Sequence, residues 1–209
     1  MYIKFMKRIL DIICSIILII GLSWLLIIIA VLVKTTSKGK IFYSQKRIGK
    51  NKKEFYILKF RTMKITAPCD VPTHLLQNPG QFITSIGKIL RKTSLDELPQ
   101  LFNILKGDMS LVGPRPALWN QYDLIKERDL YKANTIKPGL TGWAQINGRD
   151  EIPIPIKARY DGEYIKNMSF IFDISCMLKT IVYVTKYKGI KEGATEGSKT
   201  SEESINNWG

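Results

Sequence analysis

Asp96 and Glu97 stand side by side within Arg91-Lys92-Thr93-Ser94-Leu95-Asp96-Glu97-Leu98-Pro99-Gln100, so acids and bases are gathered in one short span. Carboxylate oxygens together with substrate phosphates are what Mg²⁺ accepts. An ionised aspartate beside a metal-bound diphosphate is also able to attack phosphorus and form an acyl phosphate. A local reading competes with that chemistry. Ser94-x-x-Glu97 fits a capping box, acidic residues in a first turn complement the helix dipole, and Pro99 suits an early helical position. On either reading a helix is expected over 95–105, and its start should hold a carboxylate's pKa low by favouring the charged form.

Two further groups of side chains are candidates. Strand alternation puts Lys59 and Arg61 on one face, opposite Phe60, where they either converge on one anion or form a solvated basic face. Trp143, Gln145, Asn147 and Arg149 alternate in the same way and either line a nucleotide or sugar pocket or are ordinary strand residues. His74, the single histidine, lies in a proline-rich loop and reads as a surface residue. Cys14, Cys69 and Cys176 are far apart, so neither a disulfide framework nor a Cys/His zinc site is indicated.

These residues sit in a chain of 209, 45% hydrophobic and 24% charged, with a formal net charge of +14. That composition is globular, and the charge implies anionic partners: nucleic acid, lipid headgroups or phosphorylated substrates. Residues 12–33 carry no charge, about the length a helix needs to cross a hydrocarbon core. No small-residue cleavage site follows, so the segment is expected to be retained. Lys4, Lys7 and Arg8 precede it and Lys34, Lys38, Lys40, Lys46 and Arg47 follow. Basic flanks favour the cytoplasmic side, so a helix bent near Gly21-Leu22-Ser23 that dips into the membrane and returns is expected.

Residues 41–43 and 55–63 read as strands joined by a turn near Gly49, and thus as a hairpin. Helical patterning covers 82–90 and 119–131. From 159 to 188 apolar residues recur at helical spacing with lysines between them, the pattern of a helix that covers a core or lies in a membrane interface. The expected class is α+β: an N-terminal hydrophobic, re-entrant membrane helix over 1–36, a small, mostly helical catalytic domain over 37–188 with a short β-hairpin and interfacial amphipathic helices, and a polar tail over 189–209.

Four stretches then occur in order: Lys59-Phe60-Arg61-Thr62-Met63; Ser94 through Asn103; Lys106 through Pro116, ending Gly113-Pro114-Arg115-Pro116; and Pro138 through Arg149. Together they closely resemble the bacterial sugar transferases, or monotopic phosphoglycosyl transferases, and the chain looks like the minimal catalytic form. The resemblance implies transfer of a sugar-1-phosphate from a UDP-sugar to polyprenyl (undecaprenyl) phosphate, with release of UMP, at the cytoplasmic face of the bacterial inner membrane. It implies Asp96 as nucleophile, Glu97 as its partner, and Mg²⁺ as a cofactor held by the two. Lys59, Arg61, Arg91 and Arg115 would neutralise the diphosphate; Gln145, Arg149 and Asp161 are secondary candidates for substrate binding. Prolines on both sides of Arg115 suit that role, since a fixed backbone lowers the entropy lost in holding a guanidinium on phosphate. The family's re-entrant helix carries Ser-Pro at its midpoint, where this chain has Ser23-Trp24. Pro116 through Tyr122 resembles members that handle N-acetylated amino sugars. The rival readings are a membrane-tethered basic lipid- or nucleic-acid-binding protein and an aspartyl phosphohydrolase. Nucleic acid is the less favoured partner, because the basic residues are spread among carboxylates instead of clustering on one element.

Overall fold

The computed structural model describes residues 5–68, 79–148 and 152–185. Two helices open the chain, α1 (Lys7–Gly21) and α2 (Ser23–Thr36), bent by 64° across Leu22. Among the described residues no single helix is long and apolar enough to cross a membrane; the bent pair together reaches that length. The bend falls where Gly21-Leu22-Ser23 was expected to allow it and needs no proline: Leu22 takes φ −100°, ψ 8°, outside the helical well. The outer face of the pair is apolar; on the inner side α1 buries polar side chains, whereas α2 buries Ile29 and Val33. Asp11 and Ser15 are buried, while Ile13, Ile17, Ile20, Trp24, Ile27 and Val31 are each at least half exposed.

Strands β1 (Phe42–Ile48) and β2 (Glu54–Phe60) form the expected antiparallel hairpin, with Tyr43 opposite Lys59 and Arg47 opposite Phe55. The turn closes by Gly49 N–H donating to the Lys53 carbonyl at 2.8 Å, with Asn51 and Lys52 in the left-handed region at φ 54° and 60°. Helix α3 (Ser85–Thr93) starts later than residue 82 because Thr84 is its cap, its Oγ1 accepting from Gly87 N at 3.0 Å. The helix expected over 95–105 is divided. Ser94 stands at φ 57°, a 3-10 turn runs Leu95–Glu97, and α4 (Gln100–Lys106) follows. Pro99 explains the division. It has no N–H to give the Leu95 carbonyl, and tighter bonds (Glu97 N to Ser94 O, Leu98 N to Leu95 O) take over.

Strand β3 (Ser110–Val112) leads to β4 (Ala117–Leu118), which pairs with β1 to give the sheet order β2-β1-β4. Helix α5 (Tyr122–Leu130) is therefore shorter than the expected 119–131. Strand β5 (Gly139–Thr141) lies parallel to β3. The strand alternation read over 143–149 is overturned: Trp143–Ile146 is a short helix, α6. The long helical stretch is two helices, α7 (Ile154–Asn167) and α8 (Phe170–Thr185). Met168 leaves helical geometry at ψ 110°, and Ser169 Oγ accepts from Phe172 N to start α8.

One core gathers Phe55, Ile57, Leu101, Ile104, Met109, Leu111, Val112, Tyr164 and Cys176; a second joins Ile29 and Val33 of α2 to Phe60 of β2 and Leu90 of α3. The class is α+β, as expected.

Candidate active site

Glu97 is the hub. Its Oε1 accepts from Lys59 Nζ at 2.7 Å and from Arg115 Nη2 at 2.9 Å. Three elements far apart in sequence thus meet on one carboxylate: the end of β2, the 3-10 turn, and the segment between β3 and β4. The capping box is not formed. Ser94 makes no side-chain cap hydrogen bond, because its left-handed backbone points it out of register, and Glu97 has turned to the two cations.

Asp96 is 7% exposed, and among the described residues its carboxylate accepts no hydrogen bond. Burial pushes that carboxyl above the usual carboxylate range, with Lys59, Arg91 and Arg115 pulling the other way and Glu97 adding to the rise. The low pKa expected from a helix start does not hold, since desolvation outweighs a single 3-10 turn that carries little dipole. Lys59, its side chain 16% exposed, is pushed below the usual lysine range by burial, and Glu97 opposes the shift. Asp96, Glu97, Lys59, Arg91 and Arg115 therefore share one electrostatic cluster.

Three sequence-derived candidates are placed elsewhere or differently. Arg61 does not join Lys59, because β2 ends at Phe60 and the alternation stops with it. Its Nη2 donates to Ser37 O at 2.7 Å and Ser37 Oγ at 2.8 Å, tying the end of α2 to the sheet. Asp161, 1% exposed, is paired with Arg128 at 2.7 Å. Gln145 lies on α6, where its Nε2 donates to the Leu140 carbonyl at 3.0 Å. Arg149 and His74 lie outside the described residues.

Two arginines belong with the site though neither was singled out as part of it. Arg47 Nη1 donates to the Pro116 carbonyl at 3.0 Å, and Arg128 Nη1 to the Arg115 carbonyl at 2.9 Å. Alternation along β1 puts Arg47 on the face of Tyr43, the partner of Lys59, and that signal was available. Arg128 had none, since its partners are 13 and 33 residues away.

Among the described residues no three acidic, histidine or cysteine side chains form a ready cation cage. The donor set nevertheless fits Mg²⁺. That ion keeps several waters and takes one or two carboxylates plus substrate phosphates, and Asp96 offers a desolvated carboxylate with no competing hydrogen bond.

The family model of the bacterial sugar transferases matches residues 2–187. The exopolysaccharide production protein ExoY of Sinorhizobium fredii is 36% identical over 197 residues, covering 88% of this chain and 87% of that protein. The UDP-glucose:undecaprenyl-phosphate glucose-1-phosphate transferase of Escherichia coli is 40% identical over 194 residues, covering 89% of this chain and 40% of that protein. The UDP-N-acetylgalactosamine-undecaprenyl-phosphate N-acetylgalactosaminephosphotransferase of Aeromonas hydrophila is 39% identical over 183 residues, covering 85% of this chain and 43% of that protein. On the extent of these matches the chain belongs to the bacterial sugar transferase family.

Proposed function

We propose that the protein transfers a sugar-1-phosphate from a UDP-sugar to polyprenyl phosphate through a covalent intermediate on Asp96. One observation carries the reading: a buried carboxylate without a hydrogen bond among the described residues lies among Lys59, Arg91 and Arg115, with its neighbour Glu97 holding two of those cations. An oxygen that forms no internal hydrogen bond remains available to an electrophile. The same arrangement argues against a mere helix cap.

An Asp96 oxygen attacks the phosphorus that bears the sugar, and the bond from that phosphorus to the UMP oxygen breaks, the electron pair leaving with UMP. Lys59 and Arg115 stabilise the charge that develops on the phosphoryl oxygens. In the second half an oxygen of the lipid phosphate attacks the same phosphorus, the acyl-phosphate bond breaks, and Asp96 returns as a carboxylate. Glu97 accepts the proton of the lipid phosphate where that group arrives as a monoanion. Asp96, with Glu97 beside it, would hold a Mg²⁺ ion, which would supply neutralisation of the diphosphate.

Support for the membrane setting is the outward apolar face of α1 and α2, continued on α8 by Ile171, Leu178, Ile181 and Val182, each more than half exposed. A soluble protein seldom shows so large an apolar surface, and a polyprenyl acceptor requires a site near the headgroups. The helix pair α1–α2 then dips into the cytoplasmic leaflet of the inner membrane and returns, and the product initiates a membrane glycan, an exopolysaccharide among the candidates. The donor carries an N-acetylated amino sugar. The two relatives named for glucose and N-acetylgalactosamine transfer differ in sugar at nearly equal identity to this chain, so the sugar is read by few residues.

The test is UMP release from a panel of UDP-sugars by the protein in lipid nanodiscs with undecaprenyl phosphate and Mg²⁺. Asp96→Asn should abolish it, and UMP–UDP-sugar exchange should persist without the lipid acceptor. Exchange that requires the lipid would replace the covalent route with direct transfer. Phosphosugar delivered to water at the same rate without lipid would make the protein a hydrolase.

A further inference from the structure

Arg115 sits on a short irregular segment, and a guanidinium reaches a phosphate reproducibly only if the backbone beneath it is fixed. Flanking prolines fix two φ angles but leave the orientation of the peptide planes open. In this protein three successive carbonyls are each pinned. Pro114 O accepts from Gly139 N at 2.9 Å, Arg115 O from Arg128 Nη1 at 2.9 Å, and Pro116 O from Arg47 Nη1 at 3.0 Å. The donors come from β5, α5 and β1, so the segment is held from three directions.

The arginines are themselves immobilised. Arg128 is 3% exposed; its Nε donates to Asp161 Oδ2 at 2.7 Å, and Asp161 is 1% exposed. Arg47 Nη2 donates to Gln45 Oε1 at 2.6 Å. A buried ion pair adds little stability relative to apolar side chains of similar volume, because desolvation offsets the attraction. Geometry gives this pair a use that stability does not.

We propose that Arg47 and Arg128, the latter oriented by Asp161, are positioning residues that set the reach of Arg115 toward the donor diphosphate by holding the two carbonyl oxygens at and after it. This rests on the reading of Arg115 as a diphosphate-facing group. Asp161, expected from the family resemblance to bind substrate, acts through two intervening residues.

A double-variant cycle separates the possibilities. Single-turnover UMP release and donor KM are measured for Arg115→Ala, for the paired replacement Arg128→Met with Asp161→Leu, and for all three together, alongside thermal unfolding. The paired replacement keeps volume and leaves no charge stranded, so its transition should stay near that of the parent. It should lose about 100-fold in turnover, the scale of a misplacement of about 1 Å. On the Arg115→Ala background it should lose nothing more. A full additional loss on that background, or parental turnover in the paired replacement, overturns the proposal. Should Arg115→Ala itself turn over normally, the role of Arg115 falls first and the proposal with it. If the paired replacement does not fold, Arg47→Lys and Arg128→Lys, which keep the charge and lose the fork, pass through the same cycle and decide by the same additivity.

Discussion

Neutralising the two adjacent carboxylates should shift stability in opposite directions. Glu97 accepts from Lys59 and Arg115, whose side chains are 16% and 28% exposed. Removing one partner of a buried ion pair destabilises by about 3–5 kcal/mol. Water reaches part of both cations and a glutamine keeps one acceptor, so about 2 kcal/mol is expected for Glu97→Gln. At about 2–4 °C per kcal/mol for a chain of this size, Tm falls by about 4–8 °C. Asp96 is as buried as Glu97 but accepts no hydrogen bond among the described residues, and its carboxyl is pushed up by burial. An acid whose folded pKa exceeds its unfolded value binds its proton more tightly when folded. Its ionisation therefore subtracts stability as pH rises from the ordinary carboxylate range through the folded value. Asp96→Asn removes that term, and a gain of about 1 kcal/mol, or about 2–4 °C, is expected at neutral pH. The assay is thermal unfolding of both variants and the parent in nanodiscs with chelator, repeated with Mg²⁺, which should raise Tm of the parent and leave Asp96→Asn unmoved. Shifts of the same sign in the two variants under chelation would refute the argument that one carboxylate is satisfied and its neighbour is not.

Arg61→Met should lower stability by about 2 kcal/mol through loss of its charge-assisted bonds to Ser37 and leave the donor KM unchanged, whereas Lys59→Met raises KM. Equal rises in both would return Arg61 to the anion site. Gly139→Ala should destabilise by about 3 kcal/mol, since a Cβ there overlaps the Gly113 amide that lies beneath the Arg115 segment; an unchanged chemical denaturation midpoint would show the two strands free to part. Cys176, fully buried, has its thiol pushed up to about 11, so native protein at pH 8 should resist alkylation there until unfolded. Labelling of Cys176 in native protein at the rate of a free thiol contradicts its burial.

What the sequence conveyed about the site follows the distance between partners. Asp96 and Glu97 are adjacent, Lys59 lies on a strand of readable alternation, and Arg115 is marked by its prolines; both cations donate to Glu97. The alternation that set Arg61 on the face of Lys59 extends only as far as the strand, and no residue type announces that β2 stops at Phe60. The strand reading around Gln145 failed because a helix of four residues is too short to show a 3.6-residue period against a two-residue one. The capping box met every requirement of residue type, yet Ser94 has a left-handed backbone that the pattern does not encode. Asp161 was legible as an acid and not as a partner of Arg128, since that pairing exists only once α5 and α7 pack. The hairpin and most helices were legible because their signals are periodic and local.

A buried carboxylate that forms no hydrogen bond is a liability that its own turn cannot hold in place, so the packing around it must. Leu95 and Leu98 pack against the cluster of Ile29, Val33, Phe60 and Leu90, while Leu101 and Ile104 belong to the other core. The segment carrying Asp96 and Glu97 is thus gripped on two sides by separate clusters, and the carboxylates are left on the remaining face, toward Lys59 and Arg115. One of those clusters includes two residues of α2, so the seat of the apolar helix pair and the position of the carboxylates are set by the same contacts. Arg61 reinforces this joint from the end of β2, two residues beyond Lys59, by holding Ser37. On the proposed reading, in which Asp96 meets a lipid phosphate, that arrangement has a use: the depth of the helix pair in a bilayer and the height of Asp96 above it would not vary independently.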